Sequence, residues 1–397
     1  MSPDVADLAA RRLRAQGLIG KPFASAVDAV RWLGAVQSQD YGGAKWALGQ
    51  RTRGATDLEL DRLFDEGAIL RTHVMRPTWH FVLPEDIRWL QELTSARVVA
   101  GIAGRYRQLE LDDRTIGRAM ELFAEALSSG RFLTRAELGE VLQAGGILAE
   151  GQRLPHLIAA AELASLITSG PRRGKQFTYA LLEERAPAGR PLDRDEALTA
   201  LTLRYFRSHG PAQVQDFAWW SGLTMVEIRK GIHLVGGALE RETMDGKDFW
   251  SDPKAARAGR IDPLAHLLPN FDELTVAYRD RGALLDPRVP FNPSFFAYYR
   301  ESTPQGGMLS NVVTIAGRTS RRSVQLPRSW VASCRYARRS ASRKQPLPSG
   351  RLLQRPAPTG VTTFMRTAAL PLSALAYWAV LFLAVQGCGR DALQGSV

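Results

Sequence analysis

The sequence predicts an α+β protein of three tandem winged-helix units, a small β-rich closing region and an irregular C-terminal tail. Three observations carry this. Helix-periodic text followed by strand, bend and strand recurs three times in the same order. Each repeat ends in a hairpin signal, the pattern of a helix-turn-helix variant whose hairpin packs as a wing. Near residue 318 the composition changes abruptly to Arg, Ser, Pro and Gly without periodicity.

The predicted boundaries are 5–85, 112–185 and 193–252 for the three units, 260–317 for the closing region and 318–397 for the tail. In the first unit, Leu8 to Gln16 has helical apolar spacing and Gly17 ends it. Ser25 is placed to cap a second helix, Ala26 to Gln37, with Val27, Val30, Leu33 and Val36 on its apolar face. Trp46 to Thr52 reads as a short helix or strand, and Asp57 as the cap of a helix over 58–66. Ile69 to Leu83 is rich in β-branched and aromatic residues, and Pro77 is expected to break it into two strands.

In the second unit, Thr115 to Leu127 is a helix, Thr134 and Glu137 have capping-box spacing, and Pro155 to Ile167 is a third helix. Leu166 to Leu181 then reads as strand, basic glycine-bounded turn and strand. The third unit opens at Asp193 with Glu196 three residues on, continues through a helix-turn-helix pair around Gly222, and closes with a hairpin turning at Asp245-Gly246. The closing region mixes short strands and loops.

At 397 residues the chain has room for two or three domains at about 100 to 200 residues each. Its 45% hydrophobic and 23% charged content is that of an ordinary globular protein. The formal charge of +12 would suggest nucleic acid or anionic membrane, but thirteen of the 52 basic residues and only one of the 40 acidic residues lie from Arg318 onward. The first 317 residues are therefore neutral overall. Both cysteines, Cys334 and Cys388, are also in the tail, so the body has no disulfide, which suits a cytoplasmic protein. The acidic start, Met1 to Asp7, is not a signal peptide, and no membrane contact is expected of the body.

The tail has three readings. It can be a basic arm leading to a membrane segment over Ala368 to Val385, a disordered extension, or text out of its natural reading frame after about residue 317. The third is preferred, because an acid-free Arg/Ser/Pro run joined mid-strand is not what selection for a folded β region leaves.

The stretch that invites chemistry is Val36-Gln37-Ser38-Gln39-Asp40, ahead of Tyr41-Gly42-Gly43. A glutamine amide offers a carbonyl acceptor and two N–H donors and has no charge to lose. In a regular helix side chains two residues apart diverge by about 200°, so convergence of Gln37 and Gln39 requires a helix end or bend. Asp40 can serve as a base or electrostatic partner, or as the cap of the next turn.

Together with Arg71-Thr72-His73-Val74-Met75-Arg76-Pro77-Thr78-Trp79-His80-Phe81-Val82 and Leu268-Pro269-Asn270-Phe271-Asp272-Glu273, this stretch resembles the tandem winged-helix superfamily that contains the AlkZ-like DNA glycosylases. The likeness covers roughly residues 5 to 317. It implies a concave channel for double-stranded DNA and a catalytic Gln, apolar residue, Gln motif matched by Gln37 and Gln39. Ser38 departs from the usual apolar middle position. By the same resemblance His73, Met75 and Arg76 fall near the DNA groove.

The implied reaction is hydrolysis of the N-glycosidic bond of alkylated, cationic purines by a monofunctional glycosylase, with the glutamines positioning water. The alternative is a winged-helix transcriptional regulator or other non-catalytic DNA-binding protein. A regulator usually dimerises to read two half-sites, and no heptad seam is visible, so a monomer is expected. A local basic patch for DNA can come from Arg11, Arg12, Arg14, Arg51, Arg53 and Arg71, with Arg76, Arg172, Arg173 and Lys175. His73 and His80 should lie on opposite strand faces, which argues against a shared metal site. Trp79, Phe81 and Trp89 read as core. No Walker sequence, dinucleotide fingerprint, paired-Cys zinc pattern or nucleophile elbow occurs, so neither cofactor nor metal is expected.

Overall fold

The structure is a computed structural model that describes residues 3–186, 188–255, 265–284, 312–315 and 318–319. It is mixed α and β, with small antiparallel sheets set among helices. The closing region is described only in part, and the tail beyond Thr319, with every reading offered for it, lies outside the described residues.

Helix α1 (Pro3–Ala15) leads to Gly17, which turns the chain at φ 69. Helix α2 (Ala26–Leu33) is capped as expected, the Ser25 hydroxyl accepting from the Asp28 N–H. It stops four residues short of Gln37. Gly34 takes φ 84 and closes its N–H on Val30 O, which ends the helix and frees Val36–Gln37 to form strand β1. Helices α3 (Tyr41–Arg51) and α4 (Asp57–Asp65) follow, the latter capped by Thr56 rather than Asp57. The hairpin β2 (Leu70–Val74) and β3 (Arg76–Val82) turns at Met75, not at Pro77, which is exposed inside β3. The sheet order is β1-β3-β2.

Helix α5 (Ile87–Gln108), 22 residues long, was not expected from the sequence. Its apolar positions serve two different cores in turn, so no single stripe runs along it. Then come α6 (Asp113–Leu127), β4 (Leu133–Thr134), α7 (Arg135–Ala144), α8 (Arg153–Leu163), β5 (Ile167–Ser169) and β6 (Thr178–Leu181), with sheet order β4-β6-β5. The Thr134/Glu137 capping box is formed, whereas the third helix ends at Leu163 rather than Ile167. A short α9 (Leu182–Arg185) precedes α10 (Arg194–His209), α11 (Val214–Ser221) and α12 (Met225–Val235). The hairpin β7 (Glu240–Met244) and β8 (Lys247–Ser251) turns at Asp245-Gly246, both at positive φ, and Ala212 bridges to Trp250 beside it. Strand β9 (Ala265–Leu268), helix α13 (Glu273–Val276), and strands β10 (Val312–Ile315) and β11 (Arg318–Thr319) complete the described chain.

Helix, a short bridging strand or single β-bridge, two helices and a hairpin thus occur three times in the same order. The apolar cores do not divide along the same lines. One cluster is internal to residues 106–181 and another to residues 26–83. The largest joins Leu13, Leu70, Val74 and Met75 to Leu90 of α5, Tyr205 and Trp220 of the third repeat, and Leu268 and Leu274 of the closing region. That shared core carries the segment around Glu273 up against β1.

Candidate active site

The glutamines sit where the first repeat departs from the other two. In the second repeat the helix cap, Thr134, is itself the last residue of the bridging strand, and in the third Gln213 directly follows the bridging Ala212. In the first, Ser38 and Gln39 intervene between the end of β1 and the cap, Asp40. Gln37 ends a strand and Gln39 lies in the bend that follows, so the divergence a helix would impose does not apply.

Gln37 is buried and pairs with His80 across β3. Its side-chain Oε1 accepts from Arg76 Nη2 at 3.0 Å. Because β1 is an edge strand, the Gln37 backbone N–H can turn away from β3, and it donates to Glu273 Oε1 at 2.7 Å. Gln39 is exposed, and its Oε1 accepts from the Trp79 backbone N–H at 3.3 Å. Both amides are therefore anchored on or beside β3. Between them Ser38 is fully buried: its N–H donates to Trp79 O at 2.8 Å and its carbonyl accepts from Arg71 Nε at 3.0 Å. The Arg71 guanidinium lies 4.3 Å from the Trp79 ring and 4.8 Å from Phe177. Asp40 caps α3 through the Gly43 N–H at 3.1 Å, the second of the two roles open to it.

The electrostatics beneath Gln37 come from groups the sequence had not singled out. Glu273 is fully buried; its Oε2 accepts from Trp220 Nε1 at 2.9 Å and lies 3.6 Å from His209 Nε2. Burial works against its charge, but His209 and the Gln37 N–H outweigh this and hold the carboxyl ionised, down at about 2. His80, fully buried, is pushed to about 3 by burial and by the neighbouring Arg76 cation, and is neutral. It lies 3.0 Å from Thr78 O through Nδ1 and 3.4 Å from Arg76 Nη2 through Nε2. With Nδ1 protonated, Nε2 is left as the acceptor facing the guanidinium. Burial lowers the Arg76 pKa, while the Glu273 charge favours its protonated form.

Several residues expected near a DNA groove are buried or already paired. Arg51 is buried in a bidentate pair with Asp272, both bonds 2.8 Å, and also donates to Gln16 O and Oε1. Met75 is 1% exposed, with φ 64, and its N–H donates to Thr94 Oγ1. His73 is buried against Glu162 and packs on Trp79 at 4.5 Å, on the sheet face opposite to His80. These three offer no open surface to a phosphate. Arg172 is held by Asp61 and Asp65. Arg173 is exposed but paired with Glu137, and Lys175 is exposed with no ion-pair partner among the described residues. Phe81 and Trp89 are core, and Trp79 is half-buried. The missed residues, Glu273 and His80, lay within the two stretches that carry the family resemblance, but a buried carboxylate has no periodic signature that separates it from a surface one.

The family model described as "DNA glycosylase AlkZ-like" matches residues 30–308, a span that contains every group of this site. Among solved structures the DNA glycosylase AlkZ of Streptomyces sahachiroi is similar, with a TM-score of 0.65 at 21% identity, over 82% of this chain and 90% of that one. No curated protein sequence matches. The structural likeness supports the fold, and the sequence match extends over more than half of the chain: this protein belongs to the AlkZ-like DNA glycosylase family.

Proposed function

We propose that the protein hydrolyses the N-glycosidic bond of alkylated, cationic purines in duplex DNA, with Gln37 and Gln39 holding the attacking water. The observation that carries this reading is the anchoring of the two amides: Gln37 is fixed at both backbone and side chain, and Gln39 on the neighbouring strand. Gln37, buried with both its N–H and its Oε1 bonded, is not a solvated surface glutamine.

Glycoside hydrolysis generally uses an acid to protonate the leaving group and a carboxylate to aid attack. An N7- or N3-alkylated purine already carries the positive charge and leaves neutral, so it needs no acid. The water oxygen bonds to C1′, the C1′–N electron pair moves into the purine ring, and the water proton passes to solvent. What the protein must supply is placement of the water and dipoles around an oxocarbenium-like sugar. Each glutamine carbonyl spends one lone pair on a protein donor and retains the other for water. Arg173 and Lys175, on the hairpin of the second repeat, are the exposed cations proposed to meet phosphate.

The test is incubation with duplex DNA containing N7-methylguanine, followed by detection of free base and abasic sites. Gln37→Ala and Gln39→Ala are expected to slow release by roughly 100-fold, the scale of losing one positioned polar group. Tight sequence-specific duplex binding with no release from any N7- or N3-alkylated purine would instead favour a regulator.

A further inference from the structure

We infer that Glu273 is a positioning residue of this site: its buried carboxylate clamps the Gln37 backbone from below while Arg76 holds the Gln37 carboxamide from the side. Glu273 acts through Gln37, so the role rests on reading Gln37 as a water-holding amide.

Four features of the geometry support it. Among the described residues the Gln37 N–H lies at a sheet edge with no strand beyond it, and the 2.7 Å bond to Glu273 is what satisfies it. A charged acceptor makes a shorter and stronger bond than a neutral one. The second carboxylate oxygen is held by the Trp220 indole N–H, so the carboxylate is fixed in rotation as well as position. Arg76, anchored in β3 and beside neutral His80, binds the side-chain oxygen of the same residue at 3.0 Å. An anion on the backbone and a cation on the side chain thereby leave the carboxamide little freedom. They also balance each other, so the buried ground beneath Gln37 keeps one cation and one anion rather than an isolated charge.

A buried carboxylate is expensive, and a neutral residue at position 273 could fill the same core space with less desolvation. Placement of Gln37 is the feature that a neutral residue would not reproduce. The two N–H groups sit on different oxygens of Glu273, so glutamine at 273 would set its own NH2, a donor, against either the Gln37 or the Trp220 N–H.

The test uses the full chain and N7-methylguanine duplex under single-turnover conditions, measuring the excision rate, the Kd for lesion DNA and the thermal midpoint of Glu273→Gln. Asp216→Asn serves as the control, because Asp216 is an equally buried carboxylate, paired with Arg12 and away from β1. Glu273→Gln is expected to slow excision by about 10- to 100-fold with Kd unchanged within twofold. Asp216→Asn is expected to lower the thermal midpoint without slowing excision by the folded protein. Excision by folded Glu273→Gln at the wild-type rate overturns the proposal, as does a loss that Asp216→Asn reproduces at equal destabilisation. If Glu273→Gln does not fold, amide exchange in the wild-type protein decides: protection at Gln37 like that of a ladder N–H supports the clamp, and fast exchange there overturns it. Wild-type excision by Gln37→Ala would instead refute the reading of Gln37 itself.

Discussion

Residue by residue, charge in this protein is placed where burial makes its loss consequential. Arg51 and Asp272 form a buried bidentate pair tying α3 to the loop before Glu273, and truncating one partner leaves the other charge unpaired in the core. Asp272→Ala is expected to destabilise the fold by about 3–5 kcal/mol in denaturant titration. His80 gives a pH prediction. Unfolded, a histidine titrates near 6.5, whereas folded His80 titrates at about 3. Between those values the unfolded chain takes up a proton that the native state refuses. The His80 contribution is therefore complete above pH 6.5 and is lost progressively as pH falls toward 3. Stability measured from pH 7 to 5, above the main carboxylate titrations, should decline in the wild type and decline less in His80→Gln.

Among the elements, the hairpin β2–β3 does most to place the site, because it carries Arg76, Trp79 and His80 and pairs with β1. Its tip is Met75 in the left-handed region, an uncommon conformation for a residue with a side chain. The tip is set by Gly222, the αL cap of α11, where an added Cβ would come within 2.3 Å of Met75 O. Gly222→Ala meets both that collision and the strain of φ 72, so a loss of about 2 kcal/mol or more is expected in equilibrium unfolding. Helix α4 behaves differently from a DNA-reading helix. It carries Asp57, Glu59, Asp61 and Asp65 against one arginine, and its nearest cations, Lys45 and Arg172, are already paired to it.

On the scale of the whole molecule, the net charge and the site belong to different parts of the chain. The +12 lies entirely from Arg318 onward, while the family match spans residues 30–308. Truncation after Thr319 is expected to flatten the salt dependence of non-specific duplex binding, as counterion release falls with fewer cations. Single-turnover excision at saturating protein should be unchanged; a large loss would place part of the active site in the tail. Among the described residues no helix is long and apolar enough to cross a membrane.

The α+β class, the threefold order of helices and hairpins, the Ser25, Thr134 and Asp193 caps and the Asp-Gly turn were legible in the sequence, because each is written in residues close along the chain. Gln37 and Gln39 were also legible, as a motif. Their setting was not: the helix before them stops at Gly34, and a two-residue strand whose partners are Phe81 and His80 cannot be read from local periodicity. The same holds for the cations. Arg51 and Arg172 read as surface residues until Asp272, Asp61 and Asp65 are brought to them by folding. Glu273 depends most on tertiary structure, since its partners at 37, 209 and 220 come from the first and third repeats and meet only when these pack together. Local chemistry determined which elements form; long-range burial decided which charges are spent inside and which amides are held at the site.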